Sequence, residues 1–275
     1  FEKSAQALGA MTLEDLRIRY AGGDNGAALT LRGVSPALKY LQLTDNTNGL
    51  RLRESASPAI SGSSFLRKGY GLDAERYSVP TIGSTQFSGN REQAIVNRWP
   101  AVAIQATGNW WGHSTGPRDA SGNPAGQGDA VSTGVNYAGF LTAVPLINPS
   151  VRLAAPAPYF EQHRVALELS CINATEFRIA ENNAFTGVAF RPLSNGRANV
   201  EFDVSAGDGR KAIHAQFRDP TGTVVTAILA GGVLVDTQPP QVAITSPASG
   251  SLIREAVTIE GDARGVSGIR QVEIL

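Results

Sequence analysis

"SPALKYLQLTDNTNGLRLRESASPAI", residues 35–60, decides the fold. Ser35-Pro36-Ala37-Leu38 opens the stretch, and Ser57-Pro58-Ala59-Ile60 closes it 22 residues later. Outward from it, Gly49-Leu50 returns as Gly71-Leu72 at the same interval. Leu29-Thr30-Leu31-Arg32 matches Leu50-Arg51-Leu52-Arg53 at a shift of 21, and Leu16-Arg17-Ile18 matches Leu41-Gln42-Leu43 at 25. Ala21 to Asn25 reads as the loop that lengthens that one turn. Self-similarity at a near-constant short period marks stacked repeats rather than a single globular core.

Within each repeat the apolar residues alternate: Leu16, Ile18 and Tyr20; Leu29 and Leu31; Leu41 and Leu43; Leu50 and Leu52. A period of two means short strands with one buried face. Two or three such strands per 22-residue turn, punctuated by Gly, Asn and Asp, describe one coil of a β-solenoid. A leucine-rich repeat has a similar period, but its consensus is met only by Leu13, Leu16 and Ile18, with Ala21 where Asn belongs. Helical solenoids fail on the alternation.

The later coils carry Phe87-Ser88-Gly89-Asn90, Ala94-Ile95-Val96-Asn97, Val102-Ala103-Ile104, then Asn109-Trp110-Trp111-Gly112 and Gly116-Pro117. This series resembles the final coil of pectate-lyase-like right-handed parallel β-helix repeat proteins of bacterial surfaces. The resemblance covers roughly residues 1–145. It implies that Asn109, Trp110, Trp111, Gly112, Gly116 and Pro117 form a structural cap. It also implies that the Gly/Asn/Pro-rich tail Arg118 to Asn136 leads to the next domain. The physics agrees, because an open solenoid end exposes strand edges and an apolar core that must be covered. A large flat indole suits that task.

The same stretch has two competing readings. Trp110 and Trp111 are candidate carbohydrate-stacking residues, which requires an exposed ring face. Gly112-His113-Ser114-Thr115-Gly116 matches the nucleophile elbow of serine hydrolases, but that elbow must enter a helix, and Pro117 to Gly126 contains two prolines and two glycines. His113 offers no ligand spacing for a metal. The carboxylates Asp15, Asp45, Glu54, Asp73 and Glu75 fall mostly in turns at no shared repeat offset, and Arg17, Arg19, Arg51 and Arg53 read as a solubilising outer face. The sequence therefore offers no catalytic set, no metal site and no cofactor motif.

From about Ile147 the pattern changes. Strand-like runs recur every ten to fifteen residues: Val151–Leu153, Val165–Leu169, Glu176–Ile179, Val188–Phe190, Val200–Val204, Ala212–Phe217, Val224–Leu229 and Val233–Val235. About seven alternating strands in some ninety residues describe a sandwich. "ATEFRIA" (174–180), "GDGRKAIHAQFRD" (207–219) and "VDTQPP" (235–240) resemble a bacterial immunoglobulin-like module of extracellular proteins. Cys171 alternates inward with Leu167 and Leu169 and reads as a buried thiol. Asn173-Ala174-Thr175 is a glycosylation sequon by pattern only. After Pro239-Pro240, residues 241–252, 256–264 and 269–275 read as the first three strands of a second such module.

The expected fold is all-β: a parallel β-helix end with its capping segment over 1–145, an immunoglobulin-like β-sandwich over 146–238, and an incomplete second module over 239–275. Composition fits, with 42% hydrophobic and 17% charged residues among 275. Basic and acidic residues balance at 24 each, so neither nucleic acid nor an anionic membrane is an expected partner. One cysteine excludes an intrachain disulfide. The most apolar run, Val224 to Val235, is twelve residues long and too short to span a bilayer. Phe1 and Leu275 fall within ongoing patterns, so the chain is expected to be a piece of a larger protein. The expected role is a non-enzymatic rod and spacer in a bacterial secreted or surface-anchored protein such as an adhesin. The alternatives are a polysaccharide lyase or hydrolase on the β-helix and a scaffold segment of a large toxin or filament. The expected partners are a glycan or a surface protein of a host or neighbouring cell, with strand donation from another chain at 241–275.

Overall fold

The structure is a computed structural model that describes residues 11–23 and 26–273. The chain divides into two compact units, residues 1–148 and 149–275. Among the described residues every regular element is a strand.

The first unit is a parallel β-solenoid of four three-strand coils with further partial winding. Coil one holds β1 (Thr12–Glu14), β2 (Arg17–Arg19) and β3 (Ala27–Arg32), and coil two holds β4 (Ala37–Lys39), β5 (Gln42–Thr44) and β6 (Asn48–Arg53). Coil three holds β7 (Ala59–Ser61), β8 (Ser64–Leu66) and β9 (Tyr70–Ala74), and coil four holds β10 (Thr81–Gly83), β11 (Gln86–Ser88) and β12 (Gln93–Asn97). Each strand pairs only with its counterparts one coil before and after, giving three parallel sheets. The repeat spacings are the registers. Ile18 faces Leu43, Leu29 faces Leu50, Leu38 faces Ile60 and Leu50 faces Leu72. Stacking these inward residues builds one continuous core, which runs from Leu29 through Leu52, Phe65 and Phe87 to Trp111. Residues 24 and 25 of the expected long turn lie outside the described residues.

Two corners of each coil are set by residues in the left-handed region. Asp15, Tyr40, Gly62 and Ser84 follow β1, β4, β7 and β10, with φ between 50° and 56°. Tyr20, Asp45, Arg67 and Gly89 follow β2, β5, β8 and β11, with φ between 54° and 72°. The corner is imposed by stacking, because each level must turn where its neighbour turns. Non-glycine residues tolerate it at about 1–2 kcal/mol each. This corrects one expectation: Tyr20 is not inward but 79% exposed, because the strand ends at Arg19 and the corner swings Tyr20 out.

Winding continues past the fourth coil. β13 (Ile104–Gln105) stacks on β10, Trp110 bridges Gln86, and Val131 bridges Ile95. Between them residues 112–127 leave the coil path, and β14 (Pro117–Arg118) pairs β15 (Gly128–Ala130). β16 (Val135–Asn136) then stacks on β13. The tail Arg118 to Asn136 thus returns to the solenoid instead of leading away, and its strands satisfy the edge that β13 would leave open. Leu141 N donates to Asn109 O at 2.9 Å, and Asn148 Nδ2 to Asp15 Oδ1 at 2.7 Å. Residues 141–148 therefore run back along the outside of the stack, from the fifth coil to the first.

The second unit is antiparallel. β17 (Ile147–Leu153) enters it, followed by β18 (Arg164–Ile172), β19 (Glu176–Ala180), β20 (Arg191–Pro192), β21 (Arg197–Asp203), β22 (Gly209–Lys211), β23 (His214–Arg218), β24 (Val224–Ile228) and β25 (Val233–Val235). They form sheets ordered β17-β18-β21 and β20-β19-β23-β24, with β22 paired to β25. Val165, Leu167, Leu169, Cys171, Phe177, Ile179, Ala215 and Phe217 alternate inward and are buried. The expected strand Val188–Phe190 is absent; the short β20 takes its place, and Phe190 is held by Arg178 and Arg218 at 4.6 and 4.0 Å. Beyond Pro240, β26 (Gln241–Ser246) pairs β27 (Glu260–Arg264). β27 starts four residues later than expected, and residues 269–273 are not a strand. No helix among the described residues is long and apolar enough to cross a membrane.

Candidate functional site

Asn109-Trp110-Trp111-Gly112 is a fifth repeat of the β8 and β11 segment, in register with both. Asn109 falls where Ser63 and Thr85 fall on earlier coils. There each side chain accepts a backbone N–H from the coil before: Leu41 N to Ser63 Oγ at 3.1 Å, Ser63 N to Thr85 Oγ1 at 3.3 Å, and Thr85 N to Asn109 Oδ1 at 2.8 Å. Asn109 Nδ2 adds a bond to Ile82 O at 2.9 Å. All three residues are fully buried, and each bond satisfies a group that would otherwise be stranded from water.

Trp111 is the top rung of an aromatic column. Phe65 stacks on Phe87 with ring centroids 5.0 Å apart, and Phe87 on Trp111 at 5.1 Å, each pair within 13° of parallel. Tyr137 meets the indole edge-on at 6.5 Å. Trp111 is fully buried and Trp110 is 9% exposed, so neither offers a ring face to solvent. Gly112, with φ 91°, turns the chain at the register position of Ser88, one residue before the corner that Gly89 makes one coil earlier. Gly116, with φ 77°, lies under the Phe140 ring, and a Cβ there would meet that ring at 2.7 Å. Pro117 is buried at the start of β14.

His113 Nδ1 lies 3.0 Å from Thr115 Oγ1, and Ser114 is exposed. The chain after Gly116 enters β14 and a turn, not the helix that a nucleophile elbow needs. His163 contacts Gly207 O in the other unit. No group of three or more His, Cys, Asp or Glu among the described residues is placed to hold a metal.

The carboxylates do share an offset, and it is to the arginines. Arg32 pairs with Glu54 at 2.8 Å, Arg53 with Glu75 at 2.8 Å, and Arg67 with Asp45 at 2.7 Å, each pair 22 residues apart. Asp45 also receives Arg19 at 3.4 Å, while Asp73 lies between Arg51 at 3.6 Å and Arg98 at 2.6 Å. The hydrogen bond from Arg67 holds the Asp45 carboxyl below its usual range. Asp15 is taken by Asn148, as described.

A third ladder was not anticipated. Asn46, Lys68 and Asn90 occupy one inward position on coils two, three and four, 22 residues apart and all buried. Asn46 Nδ2 donates to Ile18 O at 3.1 Å, Lys68 Nζ to Leu43 O, and Asn90 Nδ2 to Phe65 O at 3.0 Å. Asp129 ends this ladder. Its carboxylate accepts Gly89 N at 2.9 Å, Asn90 N at 2.9 Å and Asn90 Nδ2 at 2.6 Å, groups left open where the chain departs at Gly112. A partly exposed aromatic pair was missed as well: Tyr77 and the half-buried Trp99 meet edge-on at 4.7 Å, with Arg76 4.8 Å from the Tyr77 ring. The interval of 22 residues that links Asn46, Lys68 and Asn90, and also Tyr77 and Trp99, was the available signal.

The chain matches no protein-family model, and neither a curated protein nor a solved structure shows significant similarity to it.

Proposed function

We propose that this chain is a non-enzymatic rod and spacer of a large bacterial secreted or cell-surface protein of the adhesin kind. The observation that supports this most is the use of charge on the solenoid. Six arginines and four carboxylates of the solenoid (Arg19, Arg32, Arg51, Arg53, Arg67 and Arg98 with Asp45, Glu54, Asp73 and Glu75) bond one another across coils. Exposed pairs of this kind contribute little singly, but a repeated network ties each coil to the next. A polysaccharide lyase or hydrolase would instead present such groups to substrate.

The second unit is read as an immunoglobulin-like sandwich, from the alternating burial of β18, β19 and β23, with residues 239–273 as the opening strands of another. Val242 and Ile244 on β26 are 62% and 61% exposed, which suits acceptance of strands from another chain. Partners on this reading are a glycan or a surface protein of a host or neighbouring cell. The Tyr77–Trp99 pair, with Tyr77 50% exposed, favours a glycan contact there rather than at the two buried tryptophans. Incubation of the purified chain with anionic polysaccharides, followed by reducing-end and unsaturated-product assays, tests the proposal. No cleavage is expected. Cleavage that Asp73→Asn or Glu75→Gln abolishes would establish the enzyme reading in its place.

A further inference from the structure

Lys68 is the cation in a ladder of amides. It is fully buried, and its stem runs over Gly49, where a Cβ would lie 2.8 Å from Lys68 Cδ. Its Nζ donates to Leu43 O and lies 3.4 Å from Leu66 O. Asn90 Nδ2 donates to Phe65 O, the register partner of Leu43 on the next strand. Amine and carboxamide therefore bond equivalent carbonyls on successive coils, which sets them one strand spacing apart, roughly 5 Å. Asn90 Oδ1 is buried and has no hydrogen-bond partner. Asn90 Nδ2 is held 2.6 Å from Asp129 Oδ2, and two backbone N–H groups fix that carboxyl in place. An amine, a carboxamide with an open carbonyl oxygen and a carboxyl on the amide nitrogen thus converge in one dry site.

We propose that Lys68 and Asn90 join through an intramolecular isopeptide bond, with Asp129 as the acid–base group. The Nζ lone pair adds to Asn90 Cγ, and the carbonyl pair moves onto Oδ1. A proton from Nζ passes through the Asp129 carboxyl to Nδ2. The carbonyl re-forms, the Cγ–Nδ2 bond breaks, and ammonia leaves. No oxidant or activating nucleotide enters the balance. Nζ must turn from Leu43 O on the coil before to Asn90 Cγ on the coil after, closing roughly 2 Å to reach attack distance. The environment suits each partner. Burial pushes the Lys68 amine down to about 7, so a neutral nucleophile is present at neutral pH. Burial also raises the Asp129 carboxyl, which favours its proton-donating form. The bond would clamp the third coil to the fourth at the position where a charged amine would otherwise be buried.

The intact mass of the purified chain, taken after prolonged incubation at neutral pH, tests this. The expected mass is below the sequence mass by one ammonia, and a digest should yield a branched peptide joining Lys68 to Asn90. Lys68→Met and Asp129→Ala should each restore the sequence mass, with circular dichroism confirming that the strands remain. Succinimide formation at Asn25-Gly26, Asn48-Gly49 or Asn195-Gly196 also releases ammonia, but it would persist in both variants. A folded wild-type chain at full sequence mass overturns the proposal. So does a mass deficit that survives in Lys68→Met. If one variant fails to fold, the other carries the comparison, and the branched peptide in the wild type decides independently.

Discussion

Removing the Trp111 side chain should loosen the solenoid and leave the second unit alone. The indole is fully buried at the top of the Phe65–Phe87–Trp111 column and stacks on Phe87 at 5.1 Å. Truncating a buried tryptophan to alanine costs about 3–5 kcal/mol, of which the offset stack accounts for roughly 0.5–1.5. Domain stabilities lie at about 5–15 kcal/mol, so the loss is a large fraction of the total. At roughly 2–4 °C per kcal/mol for a unit of this size, Trp111→Ala should lower the solenoid Tm by about 10 °C. Trp111→Phe keeps a ring on Phe87 and should recover more than half of that. Differential scanning calorimetry of the full chain follows both units in one experiment, because the core of each is its own. A solenoid transition within about 1 °C of wild type in Trp111→Ala would refute the burial argument, since no buried indole can be deleted at that cost. An equal shift in both transitions would show that the two units do not unfold separately.

Two further expectations concern corners and charge. Ser84, at φ 50°, sits on a left-handed corner where Gly62 sits one coil earlier. Ser84→Gly should therefore raise stability by about 0.5–1 kcal/mol in urea titration, whereas Gly62→Ala should lower it, because the new Cβ would lie 2.7 Å from the Tyr40 ring. Destabilisation by Ser84→Gly would mean that the corner does not constrain the chain. For Asp45, the Arg67 hydrogen bond lowers the carboxyl pKa, so its contribution is full above the unfolded value of about 4 and fades as pH falls through the folded value. The stability gap between wild type and Arg67→Gln should close on acidification; a gap that stays constant to about pH 2 would rule the ion pair out as its source.

How much of this was legible follows from what each feature depends on. Leu29, Leu31, Leu50 and Leu52 announce their register because inward positions accept only apolar residues, and period and alternation are both local. Trp111 was equally readable as a cover, although its role as a rung in a column was not. Lys68 escaped because lysine ordinarily reads as a solvated face, and only its distance from Asn46 and Asn90 placed it inside. Asp129 closes a ladder about forty residues earlier in the chain, a contact that no local pattern encodes. Tyr20 was misread because alternation counts residues and does not see where a corner reverses the side chain. In the second unit β18 was clear from Val165, Leu167 and Leu169. Val188–Phe190 was not, since Phe190 is held by two arginines rather than by strand partners.

The register of the coils is open to one direct measurement. Ala59 on β7 and Thr81 on β10 are exposed register partners, and Gln105 on β13 lies one strand further. Neighbouring strands lie roughly 5 Å apart and second neighbours roughly 10 Å, while a disulfide spans Cα atoms about 4.4–6.8 Å apart. The native Cys171 is buried and does not compete. Under mild oxidation, Ala59→Cys with Thr81→Cys should lose both thiols to a disulfide, seen by thiol titration and by a linked peptide. Ala59→Cys with Gln105→Cys should remain reduced within the monomer. Closure of the second pair, or failure of the first in a folded chain, would contradict the coil register on which the solenoid rests.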